Sequence, residues 1–334
     1  MRSFNKLCLK TLIAVYVLIL VGGIVRSSGS GMGCPDWPTC FGNWVPPTSV
    51  DDLPANYKED YSAYRYKKNI KFARFLSSIG LKETAAKIIE DKSIQEEADF
   101  NATKTWIEYI NRIVGVVIGI LIVATFAVSI KLWKQDRTIT WISFLTLISV
   151  IIQGWFGSIV VSTNLTPWTV TLHMFLAMVI VFMLVFLLHR SSATTSIVTS
   201  PLVKVLLIGC MAVLLIQIML GTQVREAIDR VADMTRGTWI ANVGADFVIH
   251  RSFSWVVLAL HVVLVVRLYK TLNSTFYPLA IGLLVAASIL TGVGMAYLSV
   301  PPVLQPLHLL FATAAFGILA FLFFHVRTGK VISV

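Results

Sequence analysis

Charge is scarce in this chain. Asp, Glu, Lys and Arg make up 13% of its 334 residues, about half the ~25% usual in a soluble domain. Hydrophobic residues reach 56% and the mean hydropathy is +0.78. There is too little polar surface to cover a water-soluble globule, so a soluble enzyme is excluded. Acids are scarcer than bases, 17 against 28, which leaves a formal net charge of +11. Also missing is a small-residue cleavage site after the first apolar run. Gly22-Gly23-Ile24-Val25-Arg26 stands there instead, so that run reads as a retained membrane helix and not as a signal peptide.

What is present is a series of runs of about 20 mainly apolar residues, each long enough to cross a bilayer as a helix. Eight are expected, near 9–25, 107–130, 139–161, 168–188, 202–222, 247–266, 277–298 and 304–324. Sorting the charges by connection gives a sidedness. The two ends of the chain and the 2/3, 4/5 and 6/7 connections hold twelve cations, from Arg2, Lys6 and Lys10 through Lys330, against one acid, Asp136. The sixteen cations and sixteen acids left over cancel on the other side. By the positive-inside rule the basic side is cytoplasmic, with both termini on it. The excess charge is a topology signal and needs no nucleic acid partner to explain it.

The first outer connection, roughly 27–104, is the only large extramembrane piece. Its stretch from 57 to 97 is charged and helix-permissive, with Gly80 as a break between two amphipathic helices, and its simplest role is a solvated cap. Cys34 and Cys40 lie in this loop. A disulfide is expected there if the compartment is oxidising, against two free thiols or an incomplete metal pair. Cys8 and Cys210 read as small apolar residues. Asn101-Ala102-Thr103 matches a glycosylation sequon, too short a pattern to carry weight.

The chain repeats itself. Helices 3–4 and 7–8 align at an offset of 135, matching Gly157 with Gly292, Pro167 with Pro302, His173 with His308 and Ala177 with Ala312. Helices 2 and 6 align at 139, Asn111-Arg112 against His250-Arg251, and helices 1 and 5 at 199, Gly22-x-x-Val25-Arg26 against Gly221-x-x-Val224-Arg225. A duplicated four-helix unit accounts for this. The expected division is 1–190, including the insertion at 27–104, and 191–334.

The repeat puts Asn111, His173, His250 and His308 at a common depth near the outer ends of their helices. Facing imidazoles in a bundle core suit haem iron, and ionisable side chains within spans are usually functional; a helix–helix hydrogen bond is the plainer role. His189, His325 and His261 read as interfacial or structural. Glu108, Asn111 and Arg112 share one face of helix 2. Glu108 is either a first-turn acid paired with Arg112 or an acid/base group beside a substrate. Arg26, Arg112, Arg225 and Arg251 recur near the outer face, where guanidinium suits carboxylates such as haem propionates and snorkelling serves as well.

Together these motifs resemble the heme A synthase family: the Ser/Gly segment after helix 1 with Cys34 and Cys40, Glu108-x-x-Asn111-Arg112, Gln153 through His173, His250-Arg251, and Pro302-x-x-Gln305-Pro306-Leu307-His308. The resemblance implies an all-α integral membrane protein of two pseudo-symmetric four-helix bundles in the bacterial cytoplasmic membrane, with its active side facing outward. The C-terminal bundle would hold haem b between His250 and His308. The N-terminal one would bind haem o and oxidise its C8 methyl to a formyl group by successive hydroxylations, with Glu108 in the chemistry and a groove to lipid for the isoprenoid tail. Contact with haem O synthase and cytochrome oxidase assembly factors follows from the same resemblance. The chain departs from the family's E-x-x-H-R pattern, having Asn111 where the His stands, so His173 alone could hold a five-coordinate iron in that half. The other readings are a non-catalytic haem-binding membrane protein (an electron carrier, sensor or assembly factor) and a transporter. Transport is disfavoured because no line of polar side chains crosses the membrane.

Overall fold

The structure, a computed structural model, describes residues 1–192, 196–272 and 274–328. Lys330, counted above on the basic side, lies outside the described residues. Among the described residues, eleven α-helices run in the order α1 (Arg2–Ser27), α2 (Tyr57–Ser78), α3 (Lys82–Glu90), α4 (Ala102–Ile130), α5 (Arg137–Ser162), α6 (Pro167–Ser191), α7 (Pro201–Arg230), α8 (Trp239–Asn242), α9 (Ala245–Thr271), α10 (Phe276–Tyr297) and α11 (Leu304–His325). Eight of them are long and apolar enough to cross a membrane, and the protein is an all-α integral membrane protein.

The helix ends have local causes. Asn101 accepts a hydrogen bond from Lys104 N at 3.0 Å, and Asp136 accepts one from Thr138 N at 3.0 Å, capping α4 and α5. The sequon asparagine is thus the N-cap of a membrane helix. Pro167 and Pro201 open α6 and α7, where a missing N–H costs nothing.

Helices α1, α4, α5 and α6 pack in a ring, each against the next, and α7, α9, α10 and α11 form a second ring. The two meet where α1 and α6 lie against α11 and α6 lies against α7. Each ring has its own apolar core, Ile19, Ile122 and Leu184 in the first and Leu207, Leu264 and Leu319 in the second. A short parallel strand pair, β1 (Ile197–Thr199) with β2 (Val326–Thr328), joins the segment after α6 to the segment after α11.

The insertion is folded as its pattern suggests. Gly80, at φ +91°, turns the chain between α2 and α3 in a conformation that favours glycine. The hairpin sits on the ends of α5 and α6, where Phe72, Leu76 and Ile88 pack with Phe156 and Ile159. Phe72 stacks on Trp168 at 6.1 Å, and Asn69 donates to Ser162 O at 2.8 Å. Arg65 and Glu97 form a fully buried ion pair. Burial pushes the arginine down and the carboxylate up, each opposed by the partner's charge.

Candidate functional site

Asn111, His173, His250 and His308 all lie within about three turns of the ends of α4, α6, α9 and α11 that face the insertion. A glycine on the preceding membrane helix stands against each one. A Cβ added at Gly157 would meet His173 Cε1 at 3.3 Å, at Gly221 it would meet His250 Cε1 at 3.3 Å, and at Gly292 it would meet His308 Cε1 at 3.2 Å. At Gly22 it would meet Asn111 Oδ1 at 4.0 Å. The glycines that mark the sequence repeat are therefore the recesses into which the four side chains fit.

In the second ring the imidazoles of His250 and His308 face each other, with centroids 6.3 Å apart and planes inclined at 66°. His308 Nδ1 lies 2.7 Å from Ser288 O and 3.1 Å from Thr291 Oγ1. Donation from Nδ1 to the carbonyl leaves Nε2 as the ligating atom, the orientation imposed on many metal-binding histidines. Gln217 donates to His250 O at 3.1 Å, and His250 Nδ1 is buried without a hydrogen-bond partner. Two opposed imidazoles, one pre-oriented and one incompletely satisfied, fit a haem iron held between them.

In the first ring His173 Nδ1 and Asn111 Oδ1 are both buried without a hydrogen-bond partner, and Gln153 donates to His173 O at 3.0 Å. An imidazole and an amide can offer iron one strong ligand, not two.

Glu108 and Arg112 are committed elsewhere. Glu108 is 3% exposed; one oxygen lies 2.5 Å from Arg112 Nη2 and the other accepts from Cys34 N at 2.8 Å. Arg112 also donates to Cys34 O at 2.8 Å, Thr39 O at 2.9 Å and Asp36 O at 2.5 Å. The pair clamps the loop closed by the Cys34–Cys40 disulfide, which is formed. Asp36, which sequence reasoning passed over, shapes the same loop by accepting from Phe41 N at 2.6 Å and Gly42 N at 2.9 Å.

Arg26 and Arg225 meet at Asp229, another residue missed from sequence; its signal was the i,i+4 spacing from Arg225. Arg225 also donates to Arg26 O at 3.1 Å and to Gln305 Oε1 at 3.0 Å. The Nε of each arginine is buried without a partner, so each keeps one donor free for an anion. Arg251 is exposed and lies over the Phe247 ring at 5.6 Å. Histidines outside this layer have plainer surroundings. His261 is buried with Nδ1 2.7 Å from Val257 O, and His189 packs against His325 at 5.7 Å among phenylalanines.

Comparison with known proteins adds to this geometry. The family described as COX15-CtaA, cytochrome oxidase assembly protein, matches residues 5–320. The chain is 25% identical over 214 residues to a protein of Shewanella oneidensis named Heme A synthase. That alignment covers 63% of this chain and 53% of the relative, so it spans about half the relative's length.

Proposed function

Because the chain belongs to the COX15-CtaA family of cytochrome oxidase assembly proteins, we propose that it is a heme A synthase, an oxidoreductase that converts the C8 methyl of haem o to a formyl group by successive hydroxylations. The observation that carries the reading is the repeated recess. Four glycines seat three imidazoles and one amide, and the opposed His250 and His308 make the pair that an iron needs.

In this reading residues 191–334 hold a haem b, which supplies one-electron redox chemistry when bound. His250 and His308 would hold its iron, with His308 oriented by Ser288 O. Residues 1–190 bind the substrate, and His173 anchors the iron of haem o. Asn111 cannot replace an imidazole as a ligand, and its buried, unpartnered amide oxygen would serve as a hydrogen-bond partner for the bound group. Arg26, Arg225 and Arg251 are the candidates for the propionates, the first two through their free Nε donors. Glu108 and Arg112 hold the Cys34–Cys40 loop at the insertion end. For Glu108 to move a proton, the reacting group must reach a lone pair that Arg112 and Cys34 leave open. The basic side is cytoplasmic and the site faces outward, where haem O synthase and oxidase assembly factors would hand over and receive haems within the membrane.

A second reading rests on Asn111 and on the full engagement of Glu108: a haem-binding membrane protein without catalysis, acting as electron carrier, sensor or assembly factor. Co-expression with a haem O synthase, in cells lacking their own heme A synthase, separates the two. Haem a or a hydroxylated intermediate in the extracted haems, identified by mass, supports the enzyme; haem b and haem o alone support the carrier.

A further inference from the structure

The turn between α2 and α3 reads Ser77-Ser78-Ile79-Gly80-Leu81. A turn in water draws polar residues and glycine, yet here Phe75, Ile79 and Leu81 keep 47%, 56% and 46% of their surface exposed. The backbone around them is closed on itself. Leu81 N donates to Leu76 O at 2.9 Å and Gly80 N to Ser77 O at 3.2 Å, the paired bonds of a Schellman motif with glycine at its left-handed position. Ser78 Oγ donates to Phe75 O at 2.7 Å. These groups need no water, so an apolar medium costs the turn little.

The turn also lies low beside a membrane-spanning helix. Asn69 of α2 bonds Ser162 at the end of α5, Phe72 packs with Phe156, and Phe75 meets the Trp155 ring edge-on at 6.0 Å. From Asn69 to Phe75 α2 advances about 9 Å, while the contacts on α5 retreat about 10 Å from its end. The two helices therefore run in opposite senses, and α2 descends along α5 toward the middle of the bilayer. The α5 span, Arg137–Ser162, is about 39 Å long against a hydrocarbon core of about 30 Å. Centred on that span, the core begins about 4–5 Å inside Ser162, which puts Trp155 about 6 Å within it. Ile79 comes one helical turn beyond Phe75. Ile151, Ile152 and Trp155 are exposed on the same span, so the apolar turn continues the lipid-facing surface of α5.

From Lys67 to Glu83 the chain holds five cations and one acid, and Lys71, Arg74 and Lys82 are exposed on either side of the turn. A long cationic side chain lets its apolar stem sink while the head stays at the phosphate level. Apolar area rimmed by cations is what holds an interfacial helix to anionic lipid. We propose that the α2–α3 hairpin is a membrane anchor. Phe75, Ile79 and Leu81 enter the hydrocarbon of the leaflet on the insertion side, and Lys71, Arg74 and Lys82 contact the phosphates of anionic phospholipid. In place of the solvated cap expected from sequence, the hairpin is a monotopic element beside the first ring.

The test uses the full chain in nanodiscs, spin-labelled at Ile79→Cys, Leu81→Cys, Ile151→Cys or Glu59→Cys. The native cysteines do not take the label, since Cys8 and Cys210 are buried and Cys34 and Cys40 are bonded. Collision with dissolved oxygen, which concentrates in lipid, is compared with collision with a water-soluble nickel chelate. The oxygen-to-nickel ratio at Ile79 is expected to match that at Ile151, on the lipid-facing side of α5. It should exceed that at Glu59, at the far end of α2, by about fivefold or more. Leu81→Cys repeats the reading should Ile79→Cys misfold. Adding phosphatidylglycerol to phosphatidylcholine discs is expected to raise the ratio about twofold, and Lys71→Glu with Arg74→Glu and Lys82→Glu to abolish that response. A ratio like that of Glu59 at both turn positions would overturn the proposal, because the turn would stand in water. Exclusion of both colliders would overturn it as well, because a second copy or another protein would cover the face. No response to lipid charge without the three reversals would remove the phosphate contact.

Discussion

Arg26 and Arg225 hold the same place in the two repeat units, 199 residues apart, and both bond the carboxylate of Asp229. The repeat supplies two cations at the junction of the rings, and a single unrepeated acid joins them. Asp229→Asn leaves the two guanidinium groups without the charge of the acid that both bond. A loss on the order of 2 kcal/mol is expected, below the figure for a fully buried pair because the acid is about one third exposed. Asp229→Glu should recover most of it. Thermal unfolding of the purified protein reads the difference, and equal melting of wild type and Asp229→Asn would remove the node from the account.

Gly292→Ala tests the recess directly. The new methyl would stand 3.2 Å from His308 Cε1, so the imbidazole must give way and its contact with Ser288 O is strained. Haem retention is expected to weaken about 10–100-fold, the usual effect of disturbing a ligand's supporting partner. Gly282→Ala on the same helix meets nothing within 4 Å and is the matched control. A haem titration followed by the reduced-minus-oxidised spectrum reports both.

Glu108→Ala breaks a buried pair and releases the disulfide loop, at a cost of about 3–5 kcal/mol. Reduction of Cys34–Cys40 by a water-soluble phosphine is expected to accelerate at least tenfold. Glu108→Gln separates roles, because an amide can still accept from Cys34 N. A Gln variant whose loop stays protected but which forms no haem a assigns the carboxylate an acid/base role; one active in both assays leaves Glu108 a clamp.

Lys68, on α2 outside the membrane spans, is the pH-sensitive element of the cap. Burial, aided by the Arg112 charge and opposed by Asp36, lowers its pKa from 10.5 to about 8. Between those values the undocked chain binds more protons than the docked one, so docking of the hairpin gains stability as pH rises through that window. At neutral pH the charged amine works against docking, and Lys68→Met should tighten the hairpin and abolish the dependence. Competitive acylation of Lys68 is expected to show a midpoint near pH 8; a midpoint near 10.5 would mean the amine is solvated.

Much of the fold was legible because apolar runs and loop charges are one-dimensional signals. The eight spans and the break at Gly80 needed no tertiary information, and the resemblance to heme A synthases agrees with the family match. Span ends were less legible. The fifth span was expected to end near 222, whereas α7, which contains it, continues to Arg230 because Arg225–Asp229 and Glu226–Arg230 pairs sustain it past the last apolar turn. Likewise α1 begins at Arg2, well before the apolar run. Within the site, the repeat pointed to the four side chains but gave no hint that Glu108 and Arg112 face a loop 70 residues earlier. The Arg26–Asp229 contact was invisible because its partners stand 203 residues apart. Asp36, bonded to Phe41 and Gly42, and Asp229, four residues after Arg225, had local signals that sequence reasoning passed over.

The recesses carry one further consequence. Asn111 on α4, His173 on α6, His250 on α9 and His308 on α11 are seated by glycines on α1, α5, α7 and α10. Each side chain and its seat thus belong to two membrane helices that are consecutive in the chain. The site is made of four prefabricated hairpins, and the aim of each side chain is settled as the second helix of its hairpin enters the bilayer. In the proposed reading, a haem arriving late would find these side chains already seated.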